Sequence, residues 1–212
     1  NGFIGALPEV KDLHPVTPIE AYVDRKLFIH NLGHATTSYV GFSKHPTSPL
    51  IATVLEDKEV LTLVREAMVE SSEVLLELYP TVFTNNDLLE HIDDLLRRFQ
   101  NLALGDTLYR VGRDLKRKLR YDDRLMGIII EAIKVNKGWT HIGKAYLCAL
   151  SFYATDEHNK MLESDELLLK SIEGLSLKEK LYKVSGWKES DLSIELFNSI
   201  YEKFEEIEKD SI

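Results

Sequence analysis

Along most of the chain, apolar residues recur three and four positions apart, the spacing that places them on one side of an α-helix. Val60, Leu61, Val64, Met68, Val74, Leu75 and Leu78 form one such stripe, opened by Asp57 as a cap and closed by Pro80. Leu88, Leu89, Ile92, Leu95, Leu96 and Phe99 form another, opened by Thr84. Upstream, Thr17-Pro18-Ile19-Glu20 has the form of a capping box with proline at the first helical position, and it predicts a long helix to about Gly41. Ser48-Pro49 offers a second start of that kind. Asp106–Val111 reads as a short helical piece. Asp122–Lys137 reads as a buried helix stopped by Gly138, and Thr140–Tyr153 as a further helix. Ser164–Glu173, Ser176–Val184 and Ser190–Lys209 each begin at a serine able to cap. No segment alternates with period two between turn signals, so strands are at most incidental. The pattern predicts an all-α fold: one multi-helical domain over 17–212 with roughly eight to ten helices. An irregular segment, 1–16, precedes it.

Composition narrows what such a domain can do. The 212 residues carry 26 Lys+Arg against 35 Asp+Glu, a net charge of −9. An acidic balance argues against non-specific nucleic-acid binding. No apolar run is long enough to span a membrane. The one cysteine, Cys148, leaves no internal disulfide or cysteine-based zinc site, fits a reducing, cytoplasmic setting, and reads as a buried thiol. Neither a G-x-G-x-x-G nor a P-loop sequence is present, so no nucleotide loop is recognisable. The histidines show no H-E-x-x-H spacing, and no metal site is expected. The chain starts at Asn1, not at a methionine, as a piece of a longer protein would.

Candidate chemistry lies on the first helix. With Lys26 at zero on an α-helical wheel of about 100° per residue, His34 falls near 80° and Asn31 near 140°. Phe28, Ile29, Leu32, Ala35, Tyr39 and Val40 fall on the other side and face the core. A lysine that sheds its proton can take one from an alcohol, an asparagine amide can donate to a developing oxyanion, and a histidine can share a hydroxyl proton. Read without chemistry, the same three residues are the wet face of a helix. Gly33 sits mid-helix at a cost of about 1 kcal/mol relative to alanine, which a close approach by another segment would explain.

Lys26-x-x-x-x-Asn31-x-x-His34 resembles the K-x(4)-N-x(2)-H signature of the polyol-specific long-chain dehydrogenases. The wider string Arg25-Lys26-Leu27-x-x-x-Asn31-x-Gly33-His34-Ala35 is most similar to the mannitol-1-phosphate 5-dehydrogenase branch. So are Phe3-x-Gly5-Ala6-Leu7-Pro8 upstream and Arg110-Val111-Gly112-Arg113 with Arg117-Lys118-Leu119 downstream. One departure is Asp114-Leu115-Lys116, where the branch carries a proline. The resemblance implies a two-domain enzyme in which an N-terminal Rossmann domain, absent from this chain, binds most of the NAD. Segment 1–16 would then link the two domains. It implies reversible, metal-independent oxidation of D-mannitol 1-phosphate to D-fructose 6-phosphate. Lys26 would be the general base, and Asn31 and His34 would bind the reacting hydroxyl or carbonyl. This chain alone would be inactive. Mannitol 2-dehydrogenases and hexuronate reductases share the signature and are the alternatives within the family. A non-catalytic helical binding or scaffold domain is the alternative outside it.

Seven cations crowd into 15 residues: Arg110, Arg113, Lys116, Arg117, Lys118, Arg120 and Arg124. Such a cluster in an acidic chain invites an anion, and a sugar phosphate is the natural one. The resemblance implies substrate contacts from Arg110 and Lys118, eight positions apart, with Arg113 and Arg117 as candidates for the phosphate. The plainer reading is that several of these cations pair with Asp106, Asp114, Asp122 and Asp123. No interleaved aromatics favour nucleic acid.

Overall fold

The structure, a computed structural model, describes residues 16–188, 190 and 192–210. The upstream string Phe3–Pro8 and nearly all of segment 1–16 lie outside the described residues. The elements run α1 (Ile19–Arg25), a π-turn (Lys26–Asn31), α2 (Leu32–Lys44), α3 (Ile51–Val54), α4 (Lys58–Leu78), α5 (Asn85–Phe99), α6 (Leu108–Gly112) and α7 (Leu115–Lys118). They continue with α8 (Met126–Lys134), α9 (Thr140–Ala149), α10 (Glu163–Ile172), α11 (Leu177–Ser185) and α12 (Ile194–Lys209). Among the described residues the sole strand-like feature is an isolated bridge between Leu50 and Thr107, so the all-α expectation holds.

Local sequence explains most helix ends. Asp57 accepts from the Glu59 amide at 2.8 Å and opens α4. Thr84 with Asp87, and Ser176 with Glu179, form complete capping boxes on α5 and α11. Other ends differ from expectation. Pro18 itself takes the N-cap of α1, which moves Glu20 out of the third helical position, so Thr17 forms no capping box. Ser193, not Ser190, caps α12. Asn136, at φ +55°, ends α8 before Gly138 is reached: the Lys137 amide donates to Ala132 and the Asn136 amide to Ile133. Helix α9 starts at Thr140 but is capped from a distance. Glu70 on α4 accepts from the His141 and Ile142 amides at 2.9–3.0 Å and meets His141 Nδ1 at 2.8 Å.

Helix α2 is the axis of the fold and packs against α4, α6 and α9. Leu32, Ala35, Tyr39 and Val40 are buried along it, as the wheel predicts. At Gly33 the Met68 side chain of α4 lies close against α2: a Cβ there would lie 2.6 Å from Met68 Sδ. On the side toward α6, Ser38 Oγ donates to the Leu108 carbonyl at 2.6 Å and the Tyr39 hydroxyl to the Gly112 carbonyl at 3.0 Å. Two buried hydroxyls thus tie the cation-bearing α6 to the helix that carries His34.

The turn from α6 into α7 is fixed from behind. Asp114 adopts φ +74°, and the buried carboxylate of Asp165 accepts from the Asp114 and Leu115 amides at 2.7 and 2.8 Å. A proline fits neither position, because one needs positive φ and both use their N–H groups. Tyr146 on α9 donates to the Leu119 carbonyl at 2.8 Å and anchors the far end. Trp139 is buried against Phe204, with ring centroids 5.1 Å apart.

Candidate active site

Lys26 opens the π-turn and Asn31 closes it. On a continuous α-helix these residues would point about 140° apart. In a π-turn, residue i bonds to residue i+5, so side chains five apart stand one above the other. The turn therefore aligns Asn31 with Lys26, which an α-helical wheel leaves splayed. His34 follows three residues later in regular α-helix and stays on that face. Lys26 is exposed, while Asn31 and His34 are half-buried.

Two neighbours brace the turn. Ser71 Oγ on α4 donates to the Phe28 carbonyl at 2.5 Å. The buried Arg124 places Nη1 3.5 Å from the Asn31 carbonyl and bonds Asp123 through Nε at 2.7 Å.

His34 stacks on Phe99 of α5, with centroids 4.1 Å and planes 25° apart. His30 meets His34 edge-on at 5.3 Å and Phe99 at 5.7 Å, so it belongs to the same ring cluster. The His34 Nε2 is buried, has no hydrogen-bond partner among the described residues, and lies 3.7 Å from Asp106 Oδ2. Burial first, and then the positive charges of His30, Arg110, Lys118 and Arg124, push the His34 pKa down to about 4. Its imidazole is neutral near pH 7. Burial, then Arg98 and Lys26, also lower His30.

The cation cluster is largely matched by carboxylates. Arg110 pairs with Asp106, and Arg117 with Asp114 and Asp123. Arg120 pairs with Asp122, and Arg124 with Asp123. Lys118 is buried. Its ammonium donates to the carbonyls of Val111 at 2.6 Å and Arg113 at 2.5 Å. Burial, then Arg124 and Arg117, bring its pKa down to about 8. Arg113 is exposed, lies 5.5 Å over the Tyr109 ring, and has no ion pair among the described residues. Of the four sequence-derived substrate residues, Arg110 and Lys118 sit close enough for His34 to feel their charge. Arg117 connects to the turn through Asp123 and Arg124, and Arg113 makes no contact with Lys26, Asn31 or His34 among the described residues.

Sequence reasoning did not pick out Phe99, Asp106, Arg124 or Ser71 as parts of this site. The i, i+4 spacing of Asp106 and Arg110 was a legible signal. Phe99 reads as ordinary core and Ser71 carries no local mark. Cys148 is half-buried, and burial pushes its thiol up, which fits an unreactive side chain. A cavity of about 830 Å³ borders it near Phe42, Lys44, Lys180 and Glu208, at the opposite end of α2 from the Lys26–His34 face. Among the described residues no three His, Cys, Asp or Glu side chains group as a metal site requires. No helix among them is long and apolar enough to cross a membrane.

An all-α domain with a Lys–Asn–His face on a π-interrupted helix, beside a tethered belt of arginines, is the class that fold and site define. The chain belongs to the mannitol dehydrogenase C-terminal domain family, which it matches over residues 18–207. It is 38% identical over 168 residues to a mannitol-1-phosphate 5-dehydrogenase of Buchnera aphidicola, covering 79% of this chain and 41% of that protein. It is 30% identical over 189 residues to the enzyme of that name from Bacillus pumilus, covering 86% and 48%. The chain therefore spans less than half the length of these relatives. Its fold matches a crystal structure of D-sorbitol dehydrogenase in substrate-free form, with a TM-score of 0.63 and 19% identity over 88% of this chain and 38% of that one.

Proposed function

We propose that this chain is the substrate-side domain of a nicotinamide-dependent polyol dehydrogenase that oxidises D-mannitol 1-phosphate to D-fructose 6-phosphate. The observation that carries this reading is the π-turn that runs from Lys26 to Asn31, followed by the α-helical turn that bears His34. The exposed Lys26 takes the proton of the reacting hydroxyl. The Asn31 amide donates to the oxygen as it becomes a carbonyl. With Nε2 of His34 turned toward Asp106, Nδ1 is the ring nitrogen left to bond that hydroxyl, and a neutral ring can do so without adding charge. A nicotinamide cofactor, expected to be held mainly by a separate N-terminal domain, would supply the hydride acceptor. The exposed Lys26 leaves that side of the site open to such a domain. No metal takes part in this scheme.

Arg113 and Arg117 are the phosphate residues, Arg113 because it is exposed and unmatched by a carboxylate. Arg110 and Lys118 shape the wall next to His34. In the complete enzyme, Lys26→Ala lowers kcat on the order of 10²- to 10⁴-fold, the usual contribution of a general base. Arg113→Ala and Arg117→Ala raise KM for mannitol 1-phosphate. Near-wild-type kcat in Lys26→Ala would remove the base assignment. Equal kcat/KM on free mannitol and its 1-phosphate would move the enzyme to the mannitol 2-dehydrogenase or hexuronate reductase side of the family. No turnover of any polyol with NAD would leave a binding or scaffold domain.

A further inference from the structure

We infer that Ser71 is a positioning residue for this site: its hydroxyl holds the π-turn that sets Lys26 and Asn31 in line. The inference rests on the functional reading above for its consequence, but its geometry stands alone.

In an α-helix the Leu32 amide would donate to the Phe28 carbonyl, four residues back. Here it is directed to the carbonyls of Leu27 and Ile29, and Phe28 is passed over. The Phe28 carbonyl has therefore lost its α-helical donor at a buried place, since Phe28 and Ile29 both face the core. A buried main-chain acceptor without a partner is disfavoured, and the chain would regain one by closing into plain α-helix. Ser71 removes that drive. It is fully buried on α4, its neighbours Ala67, Met68, Val74 and Leu75 are apolar, and its hydroxyl reaches across to Phe28 at 2.5 Å.

The adjacent Ser72 is a built-in contrast. It is as deeply buried, yet its hydroxyl turns back to Val69 in its own helix at 2.8 Å and ties nothing across the interface. Arg124 supports the other end of the turn through the Asn31 carbonyl at 3.5 Å, a longer contact. Ser71 is thus the closer of the two braces. Without it, closing the turn to α-helix would rotate Asn31 away from Lys26, while His34 would keep its own stack on Phe99.

The test compares Ser71→Ala, Ser71→Thr and Ser72→Ala in the complete enzyme with Lys26→Ala alongside. Ser71→Ala lowers kcat on the order of 10- to 100-fold, as expected for a reacting group displaced by about an ångström. Its KM for NAD is unchanged and the alkaline and acid limbs of its kcat profile move. Ser71→Thr, which keeps the hydroxyl, restores kcat, and Ser72→Ala retains it. A crystal structure of Ser71→Ala shows residues 26–31 as regular α-helix. Unchanged kcat in Ser71→Ala when Lys26→Ala has lost it would overturn the inference, as would an equal loss in Ser72→Ala. If Lys26→Ala remains active, the functional reading fails instead. The crystal structure then decides: an intact π-turn in Ser71→Ala overturns the positioning role.

Discussion

Nε2 of His34 faces Oδ2 of Asp106 at 3.7 Å, while the other carboxylate oxygen of Asp106 is taken by Arg110. The carboxylate is thus close to the imidazole but engaged elsewhere, and the ring stays neutral. Arg110 adds one of the positive charges that lower the His34 pKa. Arg110→Gln removes that charge and frees Asp106. The pKa of His34, followed by NMR titration of its ring protons, is expected to rise from about 4 toward the ordinary value. An unchanged titration would mean that burial and the remaining cations set it without Arg110.

Stability should fall in mild acid. His34 and His91 both have folded-state values near 4 against 6.5 for the free side chain, lowered first by burial and then by neighbouring charge. Between these values the unfolded chain binds more protons than the folded one, so protonation favours unfolding. The stabilisation from keeping these rings neutral is present above pH 6.5 and is lost as pH falls toward 4. Melting temperatures measured from pH 7 to 4.5 are expected to decline, and His91→Gln should make the decline shallower.

Two glycines give opposite expectations. At Gly112 a Cβ would lie 2.2 Å from Phe152 Cζ and 2.4 Å from Ser38 Oγ. Gly112→Ala must push α6 off α2, at a cost of about 1–3 kcal/mol in a urea melt. Because α6 carries Arg110, the substrate KM should rise as well. At Gly138 nothing lies within 4 Å of a Cβ. Gly138→Ala should stay within about 0.5 kcal/mol of wild type.

Glu70→Ala tests the cap supplied from another helix. It removes a carboxylate shared by two amides and the His141 ring at the start of α9. Hydrogen bonds to a charged group suggest a loss of about 1.5–3 kcal/mol, read by denaturant unfolding. Hydrogen exchange should quicken first at the His141 and Ile142 amides.

The succession of most helices, the buried faces of α2, α4, α5 and α8, and the caps at Asp57, Thr84 and Ser176 were legible in the sequence. Each depends on residues within a turn or two of one another, where spacing and side-chain chemistry suffice. Lys26, Asn31 and His34 were legible as a set for the same reason, and the pairing of the cluster's arginines with nearby aspartates followed from charge and proximity along the chain.

Tertiary structure decided the rest. The wheel assumed α-helical rotation through 26–31. The π-turn, its Phe28 carbonyl met by Ser71 forty-three residues away, changes which side chains align. Glu70 caps α9 and Asp165 holds the α6–α7 turn across comparable separations. The neutral state of His34 comes from Phe99, from burial and from cations brought in by α6 and α7. A sequence specifies its local hydrogen bonds by spacing, but donors and acceptors far apart in the chain meet only once the core has packed. The residues proposed to carry the chemistry could therefore be read directly, and those that hold them in place could not.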